Sequence, residues 1–258
     1  MAASVRSYIT FLRGNWFPVG VLLGLLFILG DIGIDKIYLG LDAVGHYARV
    51  WFIHEQLFST GLPPLTNTSL EGGHAVAYPY GFLPYTVTAL LFYFFSDRAV
   101  TIMMVAGVVS LVTVASLTKF KKNLVFVAAF VAFIPFVEGL LSFQFAFFWA
   151  ATFFLLYAWS IEQRRLVLGF VLMLATVSTH PLLGAEAVAI YNLWLMVTQP
   201  KLRKTLILMS IIAALALLPM YLYLLQGPSV AESPKGYMIG KVLWRSVRGL
   251  SLMFVPFL

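Results

Sequence analysis

The sequence predicts an all-α polytopic membrane protein, with about seven transmembrane helices and two juxtamembrane or re-entrant helices in the first outer loop. Three observations predict it. Hydrophobic residues make up 61% of the 258-residue chain and charged residues only 10%, whereas a soluble domain carries about 25% charge. Mean hydropathy is +0.94, and the apolar runs approach or reach the roughly 20 residues needed to cross a bilayer. The cationic residues gather in short clusters between those runs, which is how orientation is encoded.

The first run, 16–34, is too long for the apolar core of a signal peptide and lacks a small-residue cleavage site, so it reads as a signal anchor. Further spans are expected at 99–118, 123–138, 144–161, 165–179, 183–198 and 204–225. Arg6 and Arg13 precede the first span, and Lys119, Lys121 and Lys122 follow the second. Arg164 and Arg165 follow the fourth, and Lys201, Arg203 and Lys204 the sixth. A cytoplasmic N-terminus and seven spans put all four clusters inside a plasma membrane. The apolar stretch 82–96 is short, and counting it as a span would turn the Lys119 cluster outward. It therefore reads as a re-entrant or interfacial helix.

Loop 35–98 then holds two such helices, about 41–58 and 82–96. A Gly-, Pro- and Thr-rich connection joins them. The chain divides into a transmembrane module, 1–225, and an outer polar loop leading to a further apolar run, 226–258. That last run is too short to span. It either lies in the interface or begins a longer segment.

The net charge of +7 reads as a topology signal, not a nucleic-acid footprint. Cysteine is absent, which excludes disulfides, thiol chemistry and thiolate zinc sites.

The sharpest functional signal is Leu41-Asp-Ala-Val-Gly-His-Tyr-Ala-Arg49. At about 100° per residue, Asp42, His46 and Arg49 share one narrow wedge of a helix, with Val44, Tyr47, Ala48 and Trp51 behind. Charge at a membrane surface is costly and usually kept for a purpose. A solvated face of an interfacial helix is the plain alternative. Asp42 is the candidate general base, since a carboxylate in a partly apolar cleft has a raised pKa suited to taking an acceptor proton. Asp31 and Asp35 compete for that role.

Arg49 can fork onto phosphate oxygens or snorkel to the headgroups. Arg245, Arg248 and Lys241 are alternatives for the phosphate, or a stripe for anionic lipid. Glu138, between two spans, is a candidate second carboxylate. His180 reads as a helix cap, a ligand contact, or the partner of Glu186, an acid one turn into an apolar helix. Tyr78 and Tyr80, in the proline-pinned segment Tyr78-Pro-Tyr-Gly-Phe-Leu-Pro-Tyr85, can stack on a sugar ring, line a lipid groove or sit in an aromatic belt. His46, His54 and His74 with Asp42 or Glu71 form no recognised ligand set, so no metal site is assigned, although a divalent ion would find suitable donors there.

This succession resembles the GT-C superfamily of membrane glycosyltransferases. The residues that carry the likeness are Asp42 in Gly40-Leu-Asp-Ala-Val-Gly-His-Tyr-Ala-Arg49, then Glu55, Gly61-Leu-Pro-Pro64 and Tyr78-Pro-Tyr-Gly-Phe-Leu-Pro84. It is most similar to the branch known as 6-pyruvoyl-tetrahydropterin synthase-related membrane proteins, a label that need not imply pterin chemistry. Where the family often has Asp-Glu or Asp-Pro, this chain has Asp42-Ala43, and Glu138 stands where an Asp is more usual.

The resemblance implies a seven-helix module holding a polyprenyl-phosphate-linked sugar in the outer leaflet. It also implies a cation (Arg49, Arg245 or Arg248) on the leaving phosphate and Asp42 as base in an inverting transfer. The expected partners are membrane lipid and that donor, with no nucleic acid. A non-catalytic partner or scaffold subunit, and a small-solute or lipid transporter, are the alternatives. A transporter predicts ionisable groups at mid-membrane and inverted repeats, whereas here the ionisable residues concentrate in outer loops, with Glu186 the main exception.

Overall fold

The computed structural model describes residues 43–61, 81–120, 123–225, 246–247 and 249–257. Among these the chain is helical throughout, with no strand. The helices are α1 (Ala43–Thr60), α2 (Phe82–Phe95), α3 (Arg98–Thr118), α4 (Leu124–Val131), α5 (Ile134–Leu141), α6 (Phe145–Glu162), α7 (Leu166–Thr179), α8 (Pro181–Thr198) and α9 (Arg203–Leu225). The stretches Arg98–Thr118, Phe145–Glu162, Pro181–Thr198 and Pro200–Leu222 are long and apolar enough to cross a membrane. The expected first span, 16–34, lies outside the described residues.

The helix ends follow local chemistry. Gly61 stops α1 at φ 74°, its N–H donating to the Leu57 carbonyl at 2.9 Å. Ser96 (φ 49°) and Arg164 (φ 59°) end α2 and α6 in the left-handed region without being glycine. Asn123 caps α4 by accepting from Val125 N–H at 3.1 Å. Pro181 opens α8 behind His180, whose Nδ1 accepts from Leu183 N–H at 3.4 Å.

The expected continuous span at 123–138 is instead two eight-residue helices, α4 and α5. Pro135 explains the break. It lacks an N–H for the preceding turn, and its ring would strike the carbonyl four residues back. Helix α7 has 14 residues and is shorter than a standard span.

Helix α6 is the centre, with 72% of its apolar window buried, while α9 has 17% and is peripheral. Gly107 of α3 lets the Trp149 ring of α6 come close, and Trp149 Nε1–H donates to the Met103 carbonyl at 3.0 Å. A polar clasp joins three helices. The Tyr157 hydroxyl of α6 donates to Asn192 Oδ1 of α8, whose amide donates to Ser210 Oγ of α9 at 3.2 Å. Such groups pair inside a membrane because lipid offers no partner.

The bundle has two chemically different ends. One carries Lys119, Glu162, Arg164, Lys201, Arg203 and Lys204. There Lys119 Nζ meets Glu162 Oε1 at 2.5 Å and lies 4.0 Å above the Phe257 ring. The other end gathers the starts of α1, α2, α3 and α6 and the α7–α8 junction. Residues 249–257 pack within the bundle: Leu252 and Met253 are buried, and Phe254 and Phe257 lie against Phe154 and Tyr191.

Candidate functional site

The polar wedge of helix α1 faces the other way from an ordinary interfacial helix. Ala43, His46, Val50 and Ile53 are buried, whereas Val44 and Trp51 are more than half exposed. The wedge of His46 and Arg49 is thus turned toward protein, and part of the apolar back is turned out. A helix bordered by lipid gains from this inversion, since polar groups find partners only inside.

Helix α2 completes the arrangement. It runs parallel to α1, as the pairs His46–Tyr85, His54–Phe92 and Phe58–Tyr93 show. Its start is pinned at Gly81, whose N–H donates to the Thr179 carbonyl at 3.1 Å. A Cβ at Gly81 would lie 1.5 Å from the Ser178 carbonyl oxygen, so only glycine permits this approach of two backbones. One turn on, the fully buried Tyr85 shares a hydrogen bond of 2.5 Å with His46 Nδ1. Phe145, at the start of α6, meets both rings edge-on, at 5.3 Å from His46 and 5.1 Å from Tyr85.

Burial, and secondarily the Arg49 charge, push the His46 pKa down from its usual value to about 3. His46 is a neutral imidazole at physiological pH. Arg49 is half-buried and folds back along α1, close enough to Gly45 that a Cβ there would lie 3.3 Å from Nη1. This direction leads toward the start of α1. Tyr47 reaches Thr101 Oγ1 at 3.3 Å and stacks on Phe143. Burial raises its phenol pKa, the Thr101 hydrogen bond opposes the rise, and Asp97 adds to it.

The structure brings His46 together with Tyr85 and Phe145, with Arg49 beside His46 on α1. Glu138 is half-buried on α5, one turn before the connection that leads to Phe145. His180 is buried and serves as the α8 cap. Asp42, Tyr78, Tyr80, Arg245 and Arg248 lie outside the described residues, as do Asp31, Asp35, Lys241, Glu71 and His74.

Glu186 differs from expectation, because the partner the structure gives it is Ser246, whose hydroxyl donates to Oε1 at 3.2 Å. That partner lies 60 residues away, so a sequence reading reaches for the nearby His180 instead. Among the described residues no three His, Asp or Glu side chains gather as a metal site. His54 is committed elsewhere, its Nδ1–H donating to the Ala89 carbonyl at 3.0 Å.

Two residues at this end escaped the sequence reading. Tyr85 belongs to the aromatic segment that drew attention to Tyr78 and Tyr80, but nothing local links it to His46. Thr179 is fully buried, with no hydrogen-bond partner for its hydroxyl, and only its place beside Gly81 marks it. Comparison with known proteins adds no relative: no family model, no curated protein and no solved structure matches this chain.

Proposed function

We propose that the chain is an inverting membrane glycosyltransferase of the GT-C kind, moving a sugar from a polyprenyl-phosphate-linked donor to an acceptor at the outer membrane face. The observation that carries this reading is the inward-turned polar face of α1, at the end of the bundle opposite the cationic clusters. The positive-inside rule assigns the cationic end to the cytoplasm, which turns the His46 end outward. The reading counts 16–34, the broken pair α4–α5 and the short α7 as crossings, making seven with the four long apolar helices.

In the reaction, Asp42 takes the proton from the acceptor hydroxyl or amide as that atom attacks the anomeric carbon. The bond from that carbon to the phosphate oxygen breaks, the configuration inverts and polyprenyl phosphate leaves. Arg49 neutralises charge on the leaving phosphate, where a fixed cation in a water-poor site is most effective. In sequence Asp42 precedes His46 by four residues and Arg49 by seven, the spacing of successive helical turns. The hydrogen-bonded clasp of Tyr157, Asn192 and Ser210 favours chemistry over transport, because those groups satisfy one another instead of lining a path.

The test is sugar release from polyprenyl-phosphate-linked donors by the full chain in nanodiscs, with Asp42→Asn at matched expression. Loss of release in the variant is expected. Equal release by both forms removes Asp42 from the mechanism. No donor bound or consumed by either form supports a partner subunit instead.

A further inference from the structure

We propose that the adjoining starts of α7 and α9 form a binding site for the headgroup of an anionic phospholipid, built from Arg164, Arg165, Lys201, Arg203 and Lys204. The inference is independent of the transferase reading and of which leaflet this end faces. It rests only on the bundle lying in a bilayer.

The backbone sets the place. Helices α7 and α9 pack against each other, and α8 returns the chain from the end of one to the start of the other. The Asn192 amide reaches Met173 Sδ of α7 at 3.9 Å and Ser210 Oγ of α9 at 3.2 Å. Met173 and Ser210 each lie seven residues beyond the first residue of their helix. At about 1.5 Å per residue, both helices therefore begin at one level, about 10 Å from that amide. Packed helices lie about 8–10 Å apart, so long side chains from both starts reach one headgroup.

Placement, and not charge alone, carries the inference. A topology signal needs only cations on one side of the membrane, whereas three arginines here are held in position. Arg164 Nη2 donates to Gln199 Oε1 at 3.4 Å, which ties the α6–α7 turn to the end of α8. Arg203 Nε and Nη2 both donate to the Met196 carbonyl, at 3.3 and 3.1 Å. The Arg165 guanidinium lies 5.0 Å from the centre of the Trp159 ring. All five cationic residues are exposed, and Glu162, the acid at the end of α6, is paired with Lys119.

Beyond the cations the helix surfaces are apolar. Lys204 heads an exposed stripe of Leu208, Ile211 and Leu215 on α9, spaced by three and four residues. Val167 and Val171, one turn apart on α7, are exposed as well. A basic cluster at the head of apolar helix faces matches a phosphodiester with acyl chains attached. Free phosphate would use only the cations.

The chain has no cysteine, so Val167→Cys carries a single fluorophore onto the exposed face of α7. The full chain in nonionic micelles is titrated with phosphatidylglycerol or phosphatidylcholine, both brominated on the acyl chains, and quenching is read. Half-quenching is expected at a lower mole fraction of phosphatidylglycerol. Arg164→Gln, Lys201→Gln and Lys204→Gln are each expected to weaken that preference about fivefold, equivalent to about 1 kcal/mol per cation near a membrane surface. Lys201→Arg with Lys204→Arg should retain it.

Equal quenching by the two lipids overturns the proposal, as does an unchanged preference in all three glutamine variants. Arg98→Gln removes an exposed cation at the opposite end; a loss as large as theirs would reduce the effect to net charge and sink the site. Inorganic phosphate added as competitor should leave quenching in place. Displacement of the lipid by phosphate at equal concentration assigns the cluster to free anions and refutes the lipid. A failed sugar-transfer assay alters none of these readings.

Discussion

Replacing Gly81 by alanine probes the assembly of the site most directly. The added Cβ would sit 1.5 Å from the Ser178 carbonyl oxygen and 2.4 Å from its carbon. Both are backbone atoms, so no side chain can swing aside. A carbon approaches such an oxygen to no less than about 3.3 Å, so the start of α2 must retreat by roughly 2 Å. The Gly81–Thr179 hydrogen bond, 3.1 Å at present, then breaks, as does the 2.5 Å bond from Tyr85 to His46.

The lost backbone bond is worth about 1 kcal/mol, and stranding buried His46 and Tyr85 costs about 1–3 kcal/mol more. Overpacking adds about 1–3 kcal/mol. The sum is on the order of 3–7 kcal/mol, a large part of the roughly 5–15 kcal/mol that holds a typical domain. The assay is thermal unfolding in nanodiscs. Gly61→Ala serves as the control, since its Cβ meets nothing within 4 Å and pays only for its φ of 74°, about 1 kcal/mol. If Gly81→Ala lowers Tm no more than Gly61→Ala does, the close approach of α2 to α7 is not what holds the site.

Gly45→Ala should leave stability unchanged or raise it by up to about 1 kcal/mol, while displacing Arg49 Nη1 and weakening donor binding. Unfolding and binding measured together separate the two effects, and equal affinity argues against Arg49 as the phosphate partner. Ser96→Gly should stabilise by about 1 kcal/mol by relieving a left-handed serine; an unchanged Tm refutes the strain. Asn192→Leu should destabilise by about 1–2 kcal/mol, and Tyr157→Phe in the same chain should restore part of that loss. Fully additive effects would show that the two groups are not coupled.

The pH dependence of stability has a definite sign. His46 is neutral in both states above pH 6.5. Below that value the unfolded chain takes up a proton that the folded chain refuses until about pH 3. Stability therefore falls as pH falls through this window, by about 2 kcal/mol between pH 6.5 and 5. His46→Gln should remove that component, and a variant with the wild-type slope contradicts the buried neutral imidazole.

Much of the architecture was legible because apolar run length and cationic clusters are local properties of sequence. The helices Arg98–Thr118, Phe145–Glu162, Leu166–Thr179, Pro181–Thr198 and Arg203–Leu225 lie within two residues of the expected limits. The break at Ala132 and Phe133 was legible in principle, since Pro135 stands in plain view, but an apolar run masks a backbone interruption. The spacing of His46 and Arg49 correctly put them on one helical face, yet which face turns inward depends on what lies outside. A reading that assumes water places Val44 and Trp51 inside, whereas a lipid border reverses the choice. Tyr85–His46 and Ser246–Glu186 span 39 and 60 residues, and no local pattern encodes such pairs.

Among the described residues, polar groups are found in three contrasting settings. At the cationic end, Glu162 is matched by Lys119 and Tyr191, and the surrounding arginines and lysines are exposed. In the interior, Tyr157, Asn192 and Ser210 satisfy one another. Both arrangements are what an apolar surrounding demands of polar groups. The His46 end is different, because folding alone does not call for its cost. An aromatic or aliphatic side chain at position 46 would fill the space against Tyr85 and Phe145 without a desolvated imidazole beside a guanidinium. The fold instead spends a backbone approach at Gly81 and three packed rings to hold that imidazole in one orientation. Substituting Phe at position 46 measures the difference: greater stability together with lost donor binding marks a group retained for chemistry, whereas lost stability marks a structural histidine.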